Sequence, residues 1–248
     1  MADAAGATRA LAGERGGMSL AASHVSAFFG ELVSRLAEWR DAVLEVAPVT
    51  PGAVDDRVRD LVLPWLSADD ALLVGAGFIA APAFAGTPDV HFAWWLGPLD
   101  ENPVSGATTQ PTRLDLGARD HADYLRDFRA LEWYRIPETT HRTHITGPYV
   151  DHLCACDYIV TVTEPVERDG GMIGVVGVDV YVRRLEREVL PALLAVPEPV
   201  ALVNGSGRIL VSTDPERAPG TLVPVPDEPH AVRCAGTPFS LVLTPRIR

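Results

Sequence analysis

Apolar positions recur at three- and four-residue spacings from about residue 20 to 46, where Val25, Phe28, Phe29, Leu32, Leu36, Trp39 and Val43 fall on one stripe. Glu31, Arg35, Glu38 and Asp41 are displaced from that stripe, so the pattern predicts a long amphipathic helix that ends before Pro48. A second helix follows VTPG, marked by Val54, Val58, Leu61, Val62 and Trp65, with Pro64 near its end. The stretch before them, 1–18, is rich in Ala and Gly without a period and reads as a flexible leader. Periodicity then changes to short apolar runs at 71–81 and 89–97, bounded by Gly and Pro, which predict two strands. Residues 101–117 read as loop, 121–134 as a helix or helical turn carrying Tyr124, Phe128 and Leu131, and the chain from there to Thr146 as polar and irregular.

The clearest local signal comes next. Two strands, 157–167 and 172–182, flank Asp169-Gly170-Gly171 and predict an antiparallel hairpin. A third helix is expected over 183–195, with Leu185, Val189 and Leu193 on one face and Pro191 as a kink. Beyond it, apolar runs around Asn204-Gly205-Ser206-Gly207 predict another hairpin, and 231–234 and 239–243 two more strands. The order is helix, α/β unit, helix, small β unit: an α+β chain.

Composition narrows the function. With 248 residues, 47% of them hydrophobic and 22% charged, the chain is long enough to bury one large core or two smaller ones. A net charge of −12 argues against direct nucleic-acid binding, which needs clustered cations. No run of eighteen uncharged apolar residues occurs, and the first residues lack the basic and apolar segments of a secretory signal, so a cytoplasmic protein without a membrane span is expected. Three cysteines, Cys154, Cys156 and Cys234, suit a reducing compartment better than a disulfide framework.

Catalytic signatures are absent: there is no G-x-S-x-G, no H-E-x-x-H and, in a chain without lysine, no phosphate-binding G-x-x-x-x-G-K-[ST]. The expectation is a non-enzyme with no cofactor. A metal-dependent enzyme is the competing class, because His121, His141, His144 and His152 cluster with Asp120 and Asp151; it would use the loop 141–152. The other arrangement that carries chemistry is Trp133-Tyr134, Tyr149 with Asp151, and Asp179 around the central hairpin. Aromatic faces and two carboxylates suit an organic ammonium ion, which the rings attract and the acids accept hydrogen bonds from. Equally, Trp133 and Tyr149 could be core residues and the acids turn caps.

The run from Glu132 to Leu185, with its WY step, its PYVD segment and its GVVGVDV strand, resembles the ligand-binding half of a double Cache (dCache) sensor domain. The rest agrees in order over roughly 20–243: the N-terminal helix resembles the family's stalk helix, and ALVNGSGRILVSTDPE the opening of its second, smaller module. The resemblance implies a long N-terminal helix followed by two PAS-like modules with antiparallel sheets. It divides the chain into a leader (1–18), a helical stalk region (19–66), a larger ligand-binding module (67–182), a connecting helix (183–196) and a smaller module (197–248).

In amino-acid-sensing members, the tyrosine and aspartate of PYxD and the aspartate ending the GVxGxD strand hold the ligand's ammonium. An arginine two residues before the WY tryptophan grips its carboxylate. Here Trp133, Tyr134, Tyr149, Asp151 and Asp179 match, while Leu131 stands in the arginine's place. Losing that guanidinium while keeping the acids and rings is what a pocket for an amine lacking a carboxylate would look like; an amino acid remains the alternative if Arg126 or Arg129 reaches round. Trp95 and Tyr124 are further candidate contacts, with the proviso that only one of Trp94 and Trp95 can face the pocket from a strand. The expected protein is a free-standing soluble sensor acting on a separate partner such as a transcription regulator, its N-terminal helix serving as a homodimer seam or packing on its own sheet.

Overall fold

A computed structural model describes residues 2–68, 71–82, 84–86, 91–99, 107–114, 125–151, 157–226 and 231–244, with 2–14 and 125–127 described by backbone alone. Helix α1 runs Ala2–Leu44 and α2 Pro51–Leu66; two short 3-10 turns (Phe84–Gly86 and Leu125–Ala130) and two further helices, α3 (Glu132–Thr140) and α4 (Val182–Leu194), complete the helical set among these residues. The strands are β1 (Leu73–Ala80), β2 (Phe92–Leu96), β3 (Thr112–Arg113), β4 (His144–Val150), β5 (Tyr158–Arg168), β6 (Gly171–Tyr181), β7 (Val200–Val203), β8 (Ile209–Ser212), β9 (Ala231–Arg233) and β10 (Ser240–Leu243). They form two antiparallel sheets, ordered β3-β2-β1-β6-β5-β4 and β8-β7-β10-β9.

The chain forms two compact units: Leu32–Tyr181, and Met1–Glu31 with Val182–Arg248. The stalk region is therefore not a separate body. Its second half and α2 belong to the larger unit, and its first half to the smaller one.

In the larger unit, Thr50 caps α2 by accepting a hydrogen bond from Ala53 N, and Pro51 stands at the first helical position where no N–H is needed. Val54, Val58, Val62 and Leu66, four residues apart, are its buried stripe, packed against β1 and β2. All eight residues of β1 are buried, as expected for a central strand covered on both faces. The β5–β6 hairpin closes through a two-residue turn in which Asp169 (φ 53°) and Gly170 (φ 80°) both have positive φ, the twist that suits a tight antiparallel connection. On the face away from the candidate site, Arg40 of α1 pairs with Glu164 of β5 at 2.7 Å, and Arg168 donates to Leu44 O at 2.6 Å, satisfying a carbonyl at the helix end.

In the smaller unit, Phe29 of α1 packs on Phe239 with ring centroids 5.2 Å apart, and His24 Nε2 lies 3.1 Å from Glu188 O of α4. Asn204 Oδ1 accepts from Ser206 N and Arg208 N to shape the β7–β8 turn.

Two sequence expectations need correction. Residues 2–18 are helical and continuous with α1; alanine, the strongest helix former, carries the helix through the aperiodic stretch. The chain after Tyr134 is not irregular but forms α3 and β4. Helix α3 escapes a periodicity reading because it is short, polar and contains Pro137; Thr139 and Thr140 help end it by donating to Arg135 O and Ile136 O at 2.9 and 2.8 Å. Val25, Phe29, Leu36, Trp39 and Val43 of the α1 stripe are all buried within the chain, in keeping with the reading in which the helix packs on its own sheet.

Candidate functional site

A small cavity of about 60 Å³ opens on one face of the six-stranded sheet. Side chains at alternate positions of a strand share a face, and the pairings place Thr161 beside Asp179, Asp179 beside Gly75, and Gly77 beside both Gly177 and Trp94. The cavity is accordingly lined by Ile79 of β1, Phe92 and Trp94 of β2, Ile159, Thr161 and Thr163 of β5, and Asp179 of β6. Leu114, Trp133, Tyr149 and Asp151 close it.

The edge strand β4 reaches this face through a bulge. Thr146 pairs with Thr161, yet Tyr149 pairs with Ile159, so Gly147 and Pro148 together oppose one residue of β5. That extra residue shifts the alternation by one and turns Tyr149 and Asp151 inward instead of outward. Pro148, with no N–H to donate, is tolerated because it lies on an edge strand.

Hydrogen bonds order the polar side of the cavity. Thr161 donates to Asp179 Oδ1 at 2.6 Å, and Tyr149 Oη lies 2.6 Å from Thr161 Oγ1. Because the threonine proton goes to the carboxylate, Tyr149 is the donor in the second bond, and the two hydroxyls form a relay aimed at Asp179. Thr163 donates to Trp133 O at 2.7 Å and pins the first turn of α3 to the sheet. Burial, reinforced by the charge of Asp151, pushes the Asp179 carboxyl up to about 8, with the Thr161 bond opposing the rise. No arginine or histidine is among the described lining residues.

The candidate residues separate. Trp133, Tyr149, Asp151 and Asp179 line the cavity. Tyr134 does not: it is fully buried in the neighbouring core, its ring edge-on to Phe128 (4.7 Å) and Trp133 (6.0 Å), and its hydroxyl has no hydrogen-bond partner among the described residues. Desolvation raises its phenol to about 12. Trp95 faces the opposite side of the sheet, where Arg113 lies over its ring at 5.9 Å and bonds Asp55 of α2 at 2.7 Å. The indole in the cavity is its neighbour Trp94, a choice that depends on strand register. Tyr124 lies outside the described residues, as do His121, His152, Cys154, Cys156 and the Arg126 side chain.

Arg129 does not enter the cavity; its guanidinium holds Glu138 at 2.6 Å. Leu131, half-buried, packs on the apolar core beside Trp133. His141 pairs with Glu167, and His144 lies 2.9 Å from Glu132. Among the described residues no group of three or more His, Cys, Asp or Glu side chains is placed to hold a metal ion. Nor is any described helix long and apolar enough to cross a membrane.

Sequence reasoning missed Trp94, Thr161 and Thr163. The threonines had a signal, since they stand at alternate positions in the otherwise apolar run of β5, on the face that Asp179 shares.

Residues 92–187, which carry most of this cavity, match the family model described as methyl-accepting chemotaxis protein-like, first PDC sensor domain. Solved structures extend the likeness over nearly the whole chain. Methyl-accepting chemotaxis protein X superposes with a TM-score of 0.64 at 16% identity, covering 96% of this chain and 98% of that one. The fold is that of a chemoreceptor sensor domain. The sensory domain of the Campylobacter jejuni chemoreceptor Tlp3 with isoleucine bound shares this sensor-domain fold, with a TM-score of 0.64, 14% identity, and 95% and 92% of the two chains covered. The ligand-binding domain of the Pseudomonas aeruginosa amino acid chemoreceptor PctC, in complex with GABA, gives 0.56, 17%, 91% and 95%.

Proposed function

We propose that this chain is a small-molecule sensor whose larger unit binds an organic cation of the amine type, with Asp179 and Asp151 supplying the counter-charge. One observation carries the reading: a cavity on one face of the six-stranded sheet is lined by two carboxylates, Asp151 and Asp179, together with Trp133 and Tyr149, with no arginine or histidine among its described lining residues. An incoming ammonium offsets the cost of holding the buried Asp179 carboxyl ionised. Trp133 and Tyr149 supply aromatic faces, and the bond from Thr163 holds Trp133 in place. Binding can drive a conformational response only by as much free energy as the ligand's affinity differs between the two states.

An amino acid is the second reading, favoured by the isoleucine and GABA named for the two structural neighbours. It requires a partner for the carboxylate, and of the arginines first considered Arg129 is engaged with Glu138.

A thermal-shift panel of amines, amino acids and small carboxylates separates these readings. A ligand at a hundred times its Kd stabilises by about 2.7 kcal/mol, an easily read shift. Upward shifts confined to amines support the cation reading; shifts confined to amino acids replace it with the second; silence across the panel overturns both.

A further inference from the structure

We propose a second ligand site in the larger unit, near the turn of the β5–β6 hairpin, that takes a small organic monocarboxylate with an apolar body and holds its carboxylate on Arg168.

The site is a cavity of about 260 Å³, against about 60 Å³ for the one that Asp151 and Asp179 line. Val49, Ala81, Phe84, Met172 and Ile173 give it apolar walls, and Arg168 is the one charged residue among its described lining residues. None of these six lines the first cavity. Backbone bonds fix its place: Ala81 N donates to Ile173 O at 2.8 Å just past the end of β1, and Arg168 of β5 pairs with Gly171 of β6 across the hairpin turn. Buried Phe84 stands edge-on to Phe78 of β1 (5.6 Å) and stacked on His91 (5.9 Å), which holds that wall in place.

Arg168 gives the cavity its chemistry. Its Nη2 donates to Leu44 O at 2.6 Å, which anchors the guanidinium at the end of α1 and leaves the rest of its N–H fork for another acceptor. Acidic residues outnumber basic ones in this chain by 33 to 21, yet half-buried Arg168 has no carboxylate partner among the described residues. The acids around it are engaged elsewhere or make no pair with it: Glu167 is paired with His141, Glu45 lies 3.8 Å from Arg57, and adjacent Asp169 forms no ion pair with Arg168.

A guanidinium fork matches the two oxygens of a carboxylate, and apolar walls strengthen the pairing by excluding water. An apolar cavity of about 150 Å³ already holds a benzene ring, so this one has room for a ring-sized body and its carboxylate. A cation is repelled by Arg168, and a neutral apolar molecule would desolvate the guanidinium without replacing its hydrogen bonds. The two cavities thus select ligands of opposite charge.

The test is calorimetric titration of the full chain at pH 7 with benzoate, benzamide and acetate. Benzoate has both features, benzamide lacks the charge, and acetate lacks the apolar body. Benzoate should bind at least about tenfold tighter than either. Arg168→Gln should weaken benzoate at least about tenfold and erase its advantage over benzamide, whereas Arg168→Lys, which keeps the charge and loses the fork, should keep part of that advantage. Ala81→Leu, which fills the cavity and leaves the arginine in place, should also weaken benzoate, and it decides the matter if thermal melts show that Arg168→Gln does not fold. No binding of benzoate to the wild type, equal binding of benzamide, or benzoate affinity unchanged in a folded Arg168→Gln or Ala81→Leu variant overturns the inference.

Discussion

Thr161 donates its hydroxyl proton to Asp179 Oδ1 at 2.6 Å, from a strand position directly beside it. Burial, reinforced by the charge of Asp151, pushes the Asp179 carboxyl up to about 8 from its ordinary 3.8, and the bond opposes that rise without supplying positive charge. Several consequences of that one contact are measurable.

The first concerns the empty protein. The unfolded carboxyl loses its proton near 3.8 and the folded one near 8, so between those values the folded state carries the extra proton. Raising the pH across this window therefore favours unfolding through Asp179. Asp179→Asn cannot ionise and should flatten that contribution, making the variant gain stability relative to wild type as pH rises from about 4 to 8. Thermal melts of both proteins across the range check this.

Ligand binding should show the complementary dependence. A cation pairs with ionised Asp179, so affinity should climb as pH rises towards 8, by about tenfold per pH unit well below it, and then level off. Binding near pH 7 should release a proton, seen as a heat that differs between buffers of different ionisation enthalpy.

Thr163→Val keeps the side-chain shape but removes the bond to Trp133 O. A loss of about 1–3 kcal/mol in stability is expected, because a carbonyl in the first turn of α3 loses its donor. Ligand affinity should weaken with it as Trp133 loosens.

The glycines of β1 should rank by what a methyl group meets. At Gly77 it would lie 2.1 Å from Ala93 O, a backbone atom of the paired strand, whereas at Gly75 it meets the edge of the Trp94 ring. Gly77→Ala should therefore destabilise more than Gly75→Ala, whose cost is expected at about 1–3 kcal/mol. Denaturant midpoints measure the order.

Leu131→Arg places a guanidinium at the position where amino-acid-sensing relatives are expected to carry one, beside Trp133. Preference should shift from amines towards amino acids in the same thermal-shift panel.

Much of this architecture was legible in the sequence, for identifiable reasons. The β5–β6 hairpin announced itself through alternation and the Asp169-Gly170 turn, and Asp179 stood out because it lies in the glycine-punctuated second strand of that hairpin, at the aspartate of the GVxGxD motif. What was hidden depended on register. Trp94 and Trp95 are equivalent to a pattern reading, and only the pairing of Gly77 with Trp94 decides which indole faces the cavity. The bulge at Gly147 and Pro148 likewise changes which β4 residues point inward, through a backbone irregularity that no hydrophobic pattern encodes. Tyr134 matched a motif yet serves as a core prop for Trp133, because the two adjacent residues of α3 point in different directions.

The most direct test of the central claim is calorimetric titration of wild type and Asp179→Asn with methylammonium and tetramethylammonium at pH 8. The account predicts saturable binding of at least one of these cations to the wild type and a loss of at least about a hundredfold in the variant, in keeping with removal of a buried charge partner. Equal affinity in the two proteins would contradict it.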